Sequence, residues 1–274
     1  MTVSGGSLGK LGDVLVDGGP LVVAFSGGAD SALLAWSATT VLGADQVLCA
    51  TAVSPSLSAE ALGDCRALAV EWRLRFTEVV TTELEDPDYV RNDTTRCYHC
   101  KTSLLDALAP LAASAEATVA LGVNLDDLAD HRPGQQAATE RGARFPLVEA
   151  GLDKAEVRHL SRQLGLRTWD KPAAPCLASR IPYGTPVTVA RLGMVAKAEE
   201  ALRALGFGQL RVRHHGELAR IELDDAMVEA AAMRRSELVA AVRGAGYRYV
   251  SLDLEGFRSG SLNPLPVSAP GASR

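Results

Sequence analysis

Residues 20–36 read PLVVAFSGGADSALLAW. From Leu21 to Phe25 every position is apolar, which suits a strand buried on both faces of a parallel sheet. Ser26-Gly27-Gly28 interrupts that run with a tight turn, and DSALLAWSATTVL continues at helical spacing. A buried strand, a Gly-Gly turn and a helix in direct succession predict the first unit of a parallel α/β sheet.

The alternation continues outward from this unit. QVLCATAVSP (46–55) predicts a second buried strand, and SAEALGDCRALAVEW (58–72) a helix with Ser58 as its cap. RFTEVVTTE (75–83) reads as a third strand, 101–115 as a helix preceded by a loop, and ATVALGVN (117–124) as a fourth strand. The Pro-rich tract 171–186 is too punctuated for regular structure and reads as loop and linker. Beyond it the pattern changes. A long helix over 187–207 precedes two alternating segments, QLRVRHH and ELARIEL, that predict a hairpin turning at Gly216. One helix over 225–247 and a last strand in RYVSLDL complete a small α+β domain. The expected organisation is a parallel-sheet domain over 1–186 carrying the cysteine loops, a small α+β domain over 187–263 and a disordered tail over 264–274.

Composition narrows the function. The chain has 274 residues, 47% of them hydrophobic and 22% charged, as expected of a globular protein with a substantial core. Its net charge of −5 argues against a general nucleic-acid binder. No signal peptide is evident, and no apolar run approaches the roughly 18–20 residues of a membrane span. A cytoplasmic location is expected, where thiols stay reduced. Five cysteines, an odd number, argue against a disulfide framework.

The turn Ser26-Gly27-Gly28-Ala29-Asp30-Ser31 has the chemistry of a phosphate cradle. Glycines let backbone approach a phosphate, the helix start offers free N–H groups, and Ser26 and Ser31 add hydroxyls. Asp30 repels phosphate, so its expected task is to orient the loop or to help hold Mg²⁺. Neither a Walker GK[ST] nor a GxGxxG is present. Asp126, Asp127 and Asp130 follow the fourth strand, at the sheet edge where such folds bind ligands, and are candidates for Mg²⁺ or the nucleotide.

RCYHCK (96–101) places Cys97 and Cys100 at metal-ligand or redox spacing, with Lys101 next to them. His99 is a further ligand candidate for a zinc site. Cys176 lies in KPAAPCLASRIPYG (171–184), a loop stiffened by prolines. Lys171 and Arg180 are near it in sequence and are candidates for lowering its pKa. Two close thiols and one distant one can offer three ligands and leave a fourth position open. An activated thiolate at Cys176 can also attack an adenylated carboxylate. Cys49 and Cys65 read as packing residues. Arg211 and Arg213 alternate on one strand and suit a phosphate.

The loop SGGADS resembles the PP-loop of the N-type ATP pyrophosphatases, which cleave ATP between the α and β phosphates. With RCYHCK, GVNLDDLADHRPG, KPAAPCLASRIPYG, LRVRHHGELARIEL and EGFRSGSLN, the chain resembles the LarE family over about Leu21 to Asn263. These enzymes are sulfur transferases of nickel-pincer cofactor biosynthesis. The resemblance implies a PP-loop ATP pyrophosphatase domain, adenine nucleotide alpha hydrolase-like, followed by a small α+β domain. It implies that carboxylates of pyridinium-3,5-dicarboxylic acid mononucleotide are adenylated and converted to thiocarboxylates, in a homo-oligomer. ATP with Mg²⁺ would sit on Ser26, Gly27, Gly28, Asp30, Ser31, Asn124, Asp127 and Lys101, and the substrate phosphate on Arg211, Arg213, Arg180 and Arg258. Glu199 matches a family acidic position with a possible metal role. In the single-cysteine type the residue matching Cys176 gives up its own sulfur. In the three-cysteine type the thiols are ligands of a 4Fe–4S cluster; Cys97, Cys100 and Cys176 match that pattern, and sulfur from a cluster-bound sulfide and sulfur from a sacrificed Cys176 are both compatible with it. The competing readings are a tRNA-thiolating PP-loop enzyme, an amidotransferase-type synthetase, and a nucleotide-binding redox or metal sensor without catalysis.

Overall fold

The computed structural model describes residues 6–128, 133–173 and 175–258. By contacts the chain divides after Cys176 into two compact units, the second beginning at Leu177. The sequence-based tail, 264–274, lies outside the described residues, as do Ser259 to Asn263 of the EGFRSGSLN motif.

The first unit holds a parallel sheet of β1 (Leu21–Ala24), β2 (Val47–Val53), β3 (Phe76–Val80) and β4 (Thr118–Leu121), in the order β3-β2-β1-β4. Its helices are α1 (Ser7–Gly18), α2 (Ala29–Leu42), α3 (Ala59–Glu71), α4 (Pro87–Arg91), α5 (Arg96–Ser114), α6 (Leu125–Leu128), α7 (Pro133–Glu140), α8 (Pro146–Glu149) and α9 (Lys154–Gln163). The apolar run of β1 is explained by burial on both faces. Leu21 and Val23 join the core with Leu11 and Leu15 of α1, Leu33 and Leu34 of α2 and Val157 of α9. Val22 faces the other way, onto Ala50, Leu108 and Ala112. The chain order reverses between β1 and β4, so both strands send their C-terminal loops to one crevice, the usual ligand position of such sheets. Gly122 permits the close approach there: a Cβ on it would lie 2.5 Å from the Ser31 amide nitrogen and 2.7 Å from Ser31 Cα.

The second unit pairs β5 (Leu210–His215) antiparallel with β6 (Leu218–Leu223), and β6 parallel with β7 (Tyr249–Leu252). The hairpin turns at Gly216, whose φ of 64° lies in the left-handed region that favours glycine. α10 (Val189–Ala204) packs on β5 and on α12 (Arg235–Gly244) around Leu202, Phe207, Val212, Ile221 and Val242.

Two expectations need correction. The single helix over 225–247 is broken into a 3₁₀ turn, α11 (Val228–Met233) and α12. The bend falls at Arg234, which donates to the Leu205 carbonyl at 2.9 Å and stacks over Phe207 at 5.1 Å. The cysteine pair does not sit in a loop before the helix. α5 begins at Arg96, because Asp93 accepts hydrogen bonds from the Thr95 amide and hydroxyl and its carbonyl receives the Arg96 amide. Cys97 and Cys100 therefore lie three apart in the first turns of α5, on one face.

Candidate functional site

The phosphate loop is organised by its own serines. Gly27 adopts φ 65°, and Gly28 caps α2 in an extended conformation. Ser26 Oγ and Ser31 Oγ are 3.0 Å apart, and Ser31 Oγ donates to the Gly28 carbonyl at 3.2 Å. Asp30 orients the loop. Its Oδ1 accepts from Asn124 Nδ2 at 3.0 Å and its Oδ2 from Lys154 Nζ at 2.5 Å. Asn124 is buried, and its Oδ1 accepts from the amides of Asp126 and Asp127. Asp127 in turn accepts from the Asn124 amide, and Asp126 from the Lys154 amide. The loops after β1 and β4 are thus one polar network. Asp130 lies outside the described residues.

Lys171 belongs to this loop as well. Its ammonium donates to the Gly27 carbonyl at 2.8 Å and pairs with Asp64 of α3.

Cys97 and Cys100 stand in the first turns of α5, and Cys176 lies in the same unit of the chain. Cys97 and Cys176 are exposed and Cys100 is half-buried. Burial pushes the Cys100 thiol up to about 12, and the charges of Cys176, Glu83 and Cys97 add to that, against the opposing pull of Lys101. Tyr89, buried and 2.7 Å from Ser56 Oγ, is raised by burial and then by Cys176 and Cys100. Glu83 is 3% exposed, with Oε1 on Ser54 Oγ and Oε2 without a hydrogen-bond partner among the described residues. Burial lowers Lys101, which Cys100 and Cys97 partly offset. Three thiols are suitable donors for a cluster with three protein ligands, and two of them share one helix face. His99 turns to Asp86, its Nδ1 2.9 Å from Oδ2. Asp86, Asp88 and His99 place one ligand atom each within 4.8 Å of one another, although Asp88 is already paired with Arg91 at 2.6 Å.

In the second unit, the alternation of Arg211 and Arg213 does not produce an exposed face. Arg213, 2% exposed, bonds Glu222 at 2.8–2.9 Å and the Ser179 carbonyl at 3.0 Å. Arg180 bonds Glu199 at 2.9 Å. Glu199 also receives Arg203 at 3.1 Å and the Val212 amide at 3.1 Å, so it is the buried counter-ion of an arginine cluster. Arg211 differs from its neighbours. It is 8% exposed, stacks over Phe257 at 4.3 Å, and has no hydrogen-bond or ion-pair partner among the described residues. Burial lowers it to about 10, with Arg180 and Arg213 adding repulsion. Such a guanidinium is prepared for an anion. Arg258 is exposed and paired with Glu255.

No family model matches the chain. A protein of Lactiplantibacillus plantarum named pyridinium-3,5-bisthiocarboxylic acid mononucleotide synthase is 39% identical over 245 residues, covering 89% of this chain and 88% of its own length. This chain belongs to the LarE family. Uncharacterised proteins of Synechocystis sp. and Methanocaldococcus jannaschii share 49% and 25% identity, over 88% and 87% of this chain and 91% of each relative.

Sequence reasoning about this LarE-family chain missed Lys154, Glu83 and Tyr89, and gave Lys171 a different partner. Lys154 had a readable signal, since DKAE (153–156) is a capping box that starts α9 directly at that lysine. Nothing local announces Glu83 or Tyr89. Lys171 was a candidate neighbour of Cys176, but the opposite charge of Asp64 and the Gly27 carbonyl take its ammonium.

The raised Cys100 thiol has a pH signature. In the metal-free chain, Cys100 alkylation should rise about tenfold per pH unit from 7 to 10, without a plateau. Peptide-resolved mass spectrometry of iodoacetamide-treated protein reads the rate. A plateau near pH 9 would remove the burial and the neighbouring thiol charges as causes.

Proposed function

We propose that the chain is an ATP-dependent sulfur transferase that turns carboxylates of pyridinium-3,5-dicarboxylic acid mononucleotide into thiocarboxylates. Family membership supports the activity class. What supports the chemistry is that Cys97, Cys100 and Cys176 all belong to the same unit as the PP-loop, with Cys97 and Cys100 on one face of α5.

A carboxylate oxygen is a poor leaving group. Attack of the substrate carboxylate on the α-phosphorus of ATP expels pyrophosphate and leaves an acyl adenylate, from which a sulfur nucleophile can displace AMP. The loop amides at the start of α2, with Ser26 and Ser31, hold the leaving pyrophosphate. Asp30, Asn124 and Lys154 keep the loop in shape. Lys101, a cation in a buried setting, attracts the phosphate or adenylate. Mg²⁺, with Asp126 and Asp127 as candidate ligands, would neutralise charge on the phosphates. Arg211 takes the substrate's own phosphate, with Arg213 and Arg180 setting the local positive field. Arg258 joins it only by giving up Glu255, and the ion pairs of Glu199 leave it a supporting role.

Cys97, Cys100 and Cys176 would hold a 4Fe–4S cluster, whose unligated iron supplies a place for the transferable sulfide. The exposure of Cys176 favours a second reading in the same enzyme. There its thiolate attacks the acyl adenylate and expels AMP, and the thioester then undergoes β-elimination: a base takes the Cα proton of Cys176, the Cβ–S bond breaks, and thiocarboxylate and dehydroalanine are left. A reducing compartment suits both readings.

The Cys176→Ala variant should still release pyrophosphate in a substrate-dependent reaction while forming no thiocarboxylate, measured by phosphate-coupled assay and mass spectrometry. Retained thiocarboxylate formation refutes the assignment. Arg211→Ala should raise the KM for the mononucleotide by about tenfold or more and change the ATP KM little, as loss of one charge-assisted contact predicts. The reverse pattern removes Arg211 from the substrate site.

A further inference from the structure

Lys171 has no task in the reaction outlined above, yet its half-buried ammonium is committed to the PP-loop. It donates to the Gly27 carbonyl at 2.8 Å and pairs with Asp64 of α3. Asp64 is itself held by Arg167 at 2.8 Å. Burial would raise the Asp64 carboxyl, but the hydrogen bonds from Lys171 and Arg167 outweigh it and hold the group below the usual carboxylate range, so it stays an anion. The contact with the loop is close: a Cβ on Gly27 would lie 3.7 Å from Lys171 Nζ and 3.0 Å from Cys65 Sγ. The Lys171 backbone is anchored as well, its amide donating to the Thr168 carbonyl at 3.2 Å.

The carbonyl that Lys171 holds belongs to the peptide between Gly27 and Gly28. That peptide is trans and planar, so a carbonyl turned to the ammonium turns the Gly28 N–H the opposite way. The amides of Gly28, Ala29 and Asp30 have no hydrogen-bond partner among the described residues and remain for an anion. Between two glycines the peptide plane is weakly constrained. Gly27 already has φ 65°, and a half-turn of the plane would carry Gly28 from φ −77° to positive φ, which glycine tolerates without steric cost. The turned plane would present the Gly27 oxygen where the Gly28 N–H had been, and a carbonyl dipole there repels phosphate. The freedom that lets the loop approach a phosphate therefore needs an outside hold, and Lys171 is bonded to the oxygen in question.

We propose that Lys171 is a positioning residue for phosphate binding: it fixes the Gly27–Gly28 peptide with its N–H available to the anion and its oxygen turned away. Asp64, braced by Arg167, keeps the ammonium at the carbonyl rather than on the phosphate. The ammonium also offsets the partial negative charge of the Gly27 oxygen. Lys171 acts through the loop backbone and does not touch the leaving pyrophosphate. This inference rests on the nucleotide role proposed for the Ser26–Ser31 loop.

Calorimetric titration of the full chain with magnesium pyrophosphate, joined to NMR of the Gly27–Gly28 peptide, tests it. The sequence holds three Gly-Gly pairs, at 5–6, 18–19 and 27–28, so glycine labelled with carbonyl ¹³C and with ¹⁵N gives three peptide correlations, and the one lost in Gly28→Ala marks the loop. Lys171→Met should weaken pyrophosphate binding about tenfold, as loss of a charge-assisted hydrogen bond predicts, and Lys171→Arg should restore most of it. The Gly27 carbonyl carbon should move upfield in Lys171→Met. In the wild type, pyrophosphate should move the Gly28 amide proton downfield without moving the Gly27 carbon upfield. Unchanged affinity in Lys171→Met overturns the positioning role and leaves the nucleotide reading standing. A Lys171→Arg variant that binds no better than Lys171→Met does the same. So does an upfield move of the Gly27 carbon when pyrophosphate binds the wild type, since the ammonium would then have left the carbonyl for the anion. No pyrophosphate binding by the wild type overturns the nucleotide reading itself, and this inference with it.

Discussion

Asp30 is the constraint on which the first unit's site depends. It stands in the first turn of α2, where its charge would oppose any phosphate, and two partners from distant segments neutralise and fix it. Asn124 arrives from the end of β4 and Lys154 from the start of α9. Through Asn124 the same network fixes the amides of Asp126 and Asp127. Gly122 allows the two loops to meet at backbone contact. The crevice at the reversal of strand order is therefore held by polar bonds across its rim, while the apolar core lies beneath it.

The second unit follows a different rule. Its arginines are buried with their counter-ions, Arg213 with Glu222 and Arg180 with Glu199. Breaking such a pair strands a charge, at a cost of about 3–5 kcal/mol, so these residues are fixed in place. Arg211 is left beside them over an aromatic ring, with no ion pair of its own among the described residues. Desolvation and two neighbouring cations are tolerable there if an anion supplies the missing charge on binding.

Much of this was legible in the sequence. The apolar run 21–25 followed by Gly-Gly read correctly as a strand, turn and helix, because burial on both faces leaves an uninterrupted signature. Gly216 placed the hairpin. The start of α5 was misread because its cap is a local turn built by Asp93 and Thr95, and the cysteines occupy the first turns behind it. The break at Arg234 was invisible because its cause, the Leu205 carbonyl and the Phe207 ring, is remote in sequence. The burial of Arg213 was also hidden, since its counter-ion Glu222 lies on another strand, and that of Arg211 because the Phe257 ring that covers it is remote in sequence. Recognition of the family came from motif wording, whereas the partners of Asp30, Lys171 and Glu199 came only from the fold.

The central claim is that Cys97, Cys100 and Cys176 form one three-thiol site that supplies sulfur. Iron and acid-labile sulfide content after strictly anaerobic purification, with optical and EPR spectra, tests it most directly. The account predicts about four of each per chain, lost when Cys97 is replaced by alanine. An iron-free wild-type chain whose Cys176 peptide loses the elements of hydrogen sulfide after reaction with ATP and the mononucleotide would contradict it. Cys176 would then be the sulfur source by itself.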